Sequence, residues 1–189
     1  MTTHYIDIRL LPDPEFPQAH LMGALYSKLH RVLVQLNSTN IGVSFPQYSL
    51  ERRSVGAVLR IHGDEPTLTR LMTEAWLTGM RDHTMVTSIL AAPEGAAQGI
   101  VQRRQFKTSA ERLRRRRMKR KGESAEQAAA AIPVSVERSP NVPYINLRSS
   151  STGQPFSMFI AQSREPLPTS SGSGFNTYGL SDGSTVPFF

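Results

Sequence analysis

Cysteine is absent from this chain, and tryptophan occurs once. Without thiols, disulfides and thiolate metal sites are excluded, and a reducing compartment is compatible. The longest apolar runs fall far short of the ~20 residues a membrane span needs, so no membrane partner is expected. The opening Met1-Thr2-Thr3-His4-Tyr5 lacks a basic segment leading into an apolar core, so no secretory signal is expected. A soluble cytoplasmic protein is the expectation. No internal repeat stands out. Histidines and carboxylates form no ligand cluster, which argues against a metal centre, and no cofactor is expected. Apolar residues make up 39% of 189 positions, enough for one ordinary domain or two small ones.

What is present is concentrated positive charge. Of 22 Lys and Arg residues, eleven lie between Arg103 and Lys121, with Glu111 the only acid among them. That window carries about +10, and the rest of the chain about −3. So dense a stripe is the footprint of a polyanion partner, and a nucleic acid is the commonest of that size.

Tyr5 to Leu10 alternates as a half-buried strand, with Ile6, Ile8 and Leu10 on one face. After a Pro-rich turn, Leu21, Leu25, Leu29, Val32, Leu33 and Leu36 predict a helix over about 17–36. Strands are predicted over 41–45, 55–62 and 83–90, with a short helix capped by Asp64. This β-α-β-β-α-β order over 1–92 predicts an α+β fold with an N-terminal ferredoxin-like domain. A smaller C-terminal domain over 93–189 follows, with an arginine-rich helix and short strands. Residues 91–99 read as a linker. Thr108 with Glu111 predicts a capping box and a basic helix over 109–121, ended by Gly122. Ser124 with Gln127 starts a second helix. Residues 144–148 and 156–161 pair as short strands, 163–174 read as a loop, and 175–180 and 186–189 as a terminal strand and an apolar tail.

Arg112, Arg115, Arg116, Lys119 and Arg120 recur at three- and four-residue spacing and line one side of the helix. Leu113 and Met118 offer little apolar stripe, which weighs against insertion into a membrane surface. Four like-charged i,i+4 pairs cost about 1–2 kcal/mol in the free protein, and a phosphate backbone alongside removes that cost. The bland alternative is a solvated charged face.

Several motifs resemble one family in order. They are His30 in Lys28-Leu29-His30, Ile41-Gly42-Val43-Ser44-Phe45-Pro46, Glu111-Arg112-Leu113-Arg114-Arg115-Arg116, Leu147 to Gln154, and Tyr178-Gly179-Leu180. Together they resemble the CRISPR repeat-processing endoribonucleases of type I-F systems. The resemblance implies a metal-independent RNase that cuts a repeat hairpin at its 3′ base. It also implies that the mature guide RNA is then retained among other subunits of a surveillance complex. It implies His30 as the catalytic histidine, Ser149 as the serine positioning the 2′-hydroxyl, Ser151 as a second serine nearby, and Tyr178 as orienting the histidine or serine. Arg103 and Gln105 are implied to read bases at the stem foot, and Phe156 to stack on a terminal base. Arg115, Arg116, Lys119 and Arg120 are implied to dock against the stem.

RNA carries its own nucleophile, and histidine suits general-base work near neutral pH, so the chemistry fits. The products expected are a 2′,3′-cyclic phosphate and a 5′-hydroxyl. Each residue has a structural rival: His30 within a Leu-rich helix, Ser149 and Ser151 as turn residues, Tyr178 as core, Phe156 as a sheet residue. His4, His20, His62 and His83 carry no motif and are expected to be structural or at the surface. Lys119 stands where the family pattern has Arg, Ser150 where it often has Gln, and Phe106 is bulkier than the pattern expects. The deep, narrow major groove of A-form RNA also resists reading by side chains. The alternative function is a non-catalytic subunit that binds structured RNA. An RRM-type reader is disfavoured, because aromatic-rich RNP strands are missing.

Overall fold

A computed structural model describes residues 2–106, 109–136, 140–149, 152–164 and 173–189. It divides into two compact units, Met1–Arg104 with Val142–Phe189, and Gln105–Asn141. The first unit therefore takes in both chain ends, and the boundary expected near residue 92 lies inside it.

The first unit begins with β1 (His4–Leu10), in which Ile6, Ile8 and Leu10 are buried. Helix α1 (Gln18–Leu36) follows Pro17 and ends at Asn37, whose left-handed backbone turns the chain. Its buried stripe includes Leu21, Leu25, Leu29, Val32 and Leu33, as the spacing predicts. Strands β2 (Gly42–Ser44) and β3 (Val58–Gly63) come next. Both are shorter than the sequence suggests. Helix α2 (Glu65–Thr73) is capped by Asp64, whose Oδ1 accepts from the Thr67 N–H at 2.8 Å. The predicted strand over 83–90 is interrupted. A 3-10 turn over Arg81–His83 leads into β4 (Thr84–Val86), and β5 (Leu90–Ala91) rejoins the other end of β1. The sheet order is β2-β3-β1-β4, with every neighbouring pair antiparallel.

Side chains alternate across this sheet. One face feeds the core. On the other, Asp7 sits opposite Arg60 and holds its guanidinium through two bonds of 2.7 and 2.9 Å. Rings of Tyr5 and Phe189 lie over the same guanidinium at 4.5 and 4.0 Å.

A second sheet contains β6 (Ala97–Arg104), β7 (Tyr144–Arg148), β8 (Pro155–Ser163) and β11 (Val186–Phe188), in the order β11-β6-β8-β7. The linker expected over 91–99 is thus partly strand. Its small residues serve close packing: a Cβ on Gly99 would overlap the ring of Phe188 on the neighbouring strand. Helix α1 packs on both β1 and β7, and one core joins residues of both sheets, among them Leu25, Leu59, Ile145, Met158 and Ile160. Two further strands, β9 (Gly174–Phe175) and β10 (Ser181–Asp182), flank a turn. The strand expected over 175–180 is therefore mostly this turn.

The second unit holds α3 (Ala110–Lys121) and α4 (Ala125–Ala131), which pack on each other. Ser109 caps α3, its Oγ accepting from the Arg112 N–H at 3.2 Å. This corrects the predicted capping box. With the cap at Ser109, Glu111 falls in the first turn, where its charge favours the helix dipole and it pairs with Arg115 at 3.5 Å. Thr108 lies outside the described residues. The box at Ser124 and Gln127 is reciprocal, with both bonds made. Among the described residues no helix is long and apolar enough to cross a membrane.

Candidate active site

Tyr26 and His30 lie four residues apart on α1, so both side chains project from one face of the helix. They meet the turn between β9 and β10. The Tyr26 hydroxyl donates to the carbonyl of Tyr178 at 2.7 Å, and His30 Nδ1 bonds the carbonyl of Thr177 at 2.8 Å. A carbonyl can only accept, so Nδ1 must carry the proton. In the neutral ring this leaves Nε2 with its lone pair, the state a general base requires. The Tyr178 ring lies parallel to the imidazole, 3.8 Å between centroids and 2° between planes, and restrains its rotation. Tyr26 is fully buried. Burial, and then repulsion from Tyr178, push its phenol well above the ordinary value, so it remains a donor.

The turn itself is tightly bonded. Asn176 Oδ1 accepts from the N–H groups of Tyr178 and Leu180 at 2.9 and 3.2 Å. The Asn176 N–H donates to the Leu180 carbonyl, and the Gly179 N–H to the Asn176 carbonyl. Gly179 has φ +71°, and a Cβ there would meet Val43 of β2 at 2.7 Å. Val43 N–H donates to the Gly179 carbonyl at 2.9 Å, tying the turn to the first sheet.

The other candidates sit on separate elements. Ser149 follows β7 and organises the turn into β8: its N–H donates to the Gln154 carbonyl and its Oγ accepts from Thr152 N–H at 3.3 Å. Ser151 lies outside the described residues, as does Ser150. Arg103 is exposed near the end of β6, with its guanidinium 5.7 Å from the Phe156 ring centroid. Phe156 is half-buried against the core, so it keeps one foot in the sheet while meeting this arginine. Gln105 is exposed and begins the second unit.

On α3 the arginines separate into two sets. Arg114 donates to the Ile132 carbonyl at 2.8 Å, and Arg117 grips Glu123 through two bonds. Glu123 is held below its usual carboxylate range by those hydrogen bonds. Arg112, Arg115, Arg116, Lys119 and Arg120 are exposed. Two of the basic side chains thus stabilise the unit, and Glu111 offsets Arg115, which softens the like-charge cost. Among the described residues no three His, Asp or Glu side chains gather as a metal-ligand set.

A model of the CRISPR-associated protein family Cas_Csy4 matches residues 5–189. A CRISPR-associated endonuclease Cas6/Csy4 of Pseudomonas aeruginosa (strain UCBPP-PA14) is 46% identical over 186 residues, covering 98% of this chain and 99% of that one. A protein of the same description from Escherichia coli (strain UTI89 / UPEC) is 37% identical over 189 residues, covering 98% and 99%. This chain belongs to the Cas_Csy4 family.

Within this Cas_Csy4 chain the remaining histidines have local partners. His62 is fully buried and shares a 2.8 Å bond with the Ser44 hydroxyl. Burial, reinforced by Arg60, lowers it to about 3. His83 pairs with Asp13 at 2.9 Å, His20 stacks on Phe16, and His4 lies 4.0 Å from Glu65. Sequence reasoning did not single out Tyr26, Asn176 or Thr177. The four-residue step from Tyr26 to His30 was a usable signal, as was Asn-Thr-Tyr-Gly as a turn. Their meeting was not legible, because it spans most of the chain.

Proposed function

We propose that this chain is a metal-independent endoribonuclease acting on the hairpin of a CRISPR repeat RNA. It cuts at the 3′ base of the stem and then holds the mature guide RNA within a type I-F surveillance complex. One observation carries the reading: a histidine with Nδ1 committed to a carbonyl and Nε2 left to accept a proton. Nε2 takes the proton of the ribose 2′-hydroxyl, and the 2′-oxygen attacks the adjacent phosphorus. The bond from phosphorus to the 5′-oxygen breaks, that oxygen takes a proton from solvent water to leave as a hydroxyl, and the imidazolium returns its proton to solvent. The nucleophile belongs to the substrate, so the reaction needs no metal-activated water.

In this reading Tyr178 keeps the imidazole in place, and Ser149 and Ser151 align the sugar. Arg103 and Gln105 read bases at the stem foot, and Phe156 stacks on the terminal base. Arg112, Arg115, Arg116, Lys119 and Arg120 meet phosphates, where a row of cations gives affinity and steep salt dependence. The names of both relatives, CRISPR-associated endonucleases, support the reaction class. The sheet order β2-β3-β1-β4 with two helices supports a ferredoxin-like architecture for the N-terminal part.

The test is incubation of a repeat hairpin in EDTA, followed by end-group analysis. Fragments ending in a 2′,3′-cyclic phosphate and beginning with a 5′-hydroxyl are expected. A hairpin with a 2′-deoxy sugar before the scissile phosphate should bind and stay whole. Cleavage of that hairpin would rule the mechanism out. Tight binding with no cleavage of either RNA would instead favour a non-catalytic hairpin-binding subunit.

A further inference from the structure

We infer that Tyr26 and Asn176 are positioning residues that set the tautomer of His30. The inference rests on the reading of His30 as the general base. Neutral imidazole carries one proton on two nitrogens, and only the form with a bare Nε2 can accept from a 2′-hydroxyl there. His30 is held in that form by one acceptor, the Thr177 carbonyl. The carbonyl lies in a turn whose ends are closed by backbone bonds, and two side chains fix the Thr177 and Tyr178 peptides within it. Asn176 Oδ1 takes the Tyr178 N–H, which shares one planar peptide with the Thr177 carbonyl, and the Leu180 N–H, which closes the turn. Tyr26, one helical turn before His30, takes the next carbonyl along, that of Tyr178. Helix α1 therefore grips two consecutive carbonyls with two side chains at matching spacing. Tyr26 is buried and Asn176 is exposed, so the turn is held from both sides. Neither residue bonds the imidazole. Each acts on it through the peptide that Asn176 and Tyr26 immobilise, and through the Tyr178 ring stacked on it.

The test uses the full chain labelled with nitrogen-15 in its imidazoles. In the wild type and in Asn176→Asp, which keeps an oxygen acceptor, His30 is expected as the Nδ1–H form. In Asn176→Ala and Tyr26→Phe, nitrogen shifts should report a mixture of tautomers. Single-turnover cleavage at saturating hairpin should fall at least about tenfold in both, since correct protonation of a general base is worth about 10²–10⁴ in rate. Hairpin affinity should stay within about twofold of wild type, and Asn176→Asp should restore the rate. Tyr26→Phe keeps the core volume and decides the matter should Asn176→Ala fail to fold. An unchanged tautomer in these variants, or a mixed tautomer with an unchanged rate, overturns the inference. Wild-type cleavage by His30→Ala would remove the base reading while leaving the tautomer result standing, so the two failures are distinguishable.

Discussion

His30 is held by a carbonyl 147 positions away in the chain and by a ring stacked 3.8 Å above it. The exposed arginines of α3 stand on a helix whose cap, Ser109, and whose internal ion-pair partner, Glu123, lie within a few residues of it. One region depends on long-range hydrogen bonds and a stacked ring, and the other on local charge density. The difference fits the two tasks proposed for them. Proton transfer needs one tautomer in one orientation, which only converging tertiary contacts supply. Attraction to a phosphate backbone needs many positive charges at roughly the right spacing, and a short capped helix suffices.

The comparison breaks most sharply at His30. His30→Ala should reduce single-turnover cleavage by about 10²–10⁴ while the hairpin dissociation constant stays near wild type. An equal loss in binding and cleavage would erase the contrast between the regions. The next largest effect concerns acid. Folded His62 titrates at about 3 and its unfolded counterpart near 6.5. Below pH 6.5 the unfolded chain therefore binds a proton that the folded chain refuses. Stability from this residue is full above pH 6.5 and is lost as pH falls from there towards 3. The loss should reach about 2 kcal/mol by pH 5. Urea unfolding at pH 7 and pH 5 should show wild type losing more than His62→Gln by about that amount. Acid should therefore act on the first unit, where His62 is buried.

Arg115→Ala with Arg116→Ala sharpens the comparison from the other side. The log–log salt slope of hairpin binding should become shallower by about 0.7–0.9 per phosphate contact removed, with the cut site and the saturated rate unchanged. Filter binding at several salt concentrations measures it. The smallest effect is expected for Arg103→Ala. It should tolerate altered base pairs at the stem foot that wild type rejects, in a competition between two hairpins, with little change in salt slope.

Legibility in the sequence follows the same division. The strand β1, the helix α1 and the basic α3 were readable, because alternation, helical spacing and capping residues are local signals. The pairing of β7 with β8 was readable from two apolar runs around a turn. Strand β6 was missed: no strand was expected over 97–104, and its start, Ala97-Gln98-Gly99, looks like a linker until Phe188 is seen packed over Gly99. The stretch 175–180 was misread because Phe175, Tyr178 and Leu180 suggest a strand, whereas Asn176 closes a turn there with Gly179 at positive φ.

Composition and spacing alone determined that this chain has a cysteine-free, mixed helix-and-strand core and one short helix of concentrated positive charge. They did so because helix, strand and charge density are written in neighbouring residues. Only the tertiary structure decided which nitrogen of His30 bears the proton. That depends on a carbonyl and a ring delivered from the far end of the chain, and no local pattern specifies where two such distant segments meet.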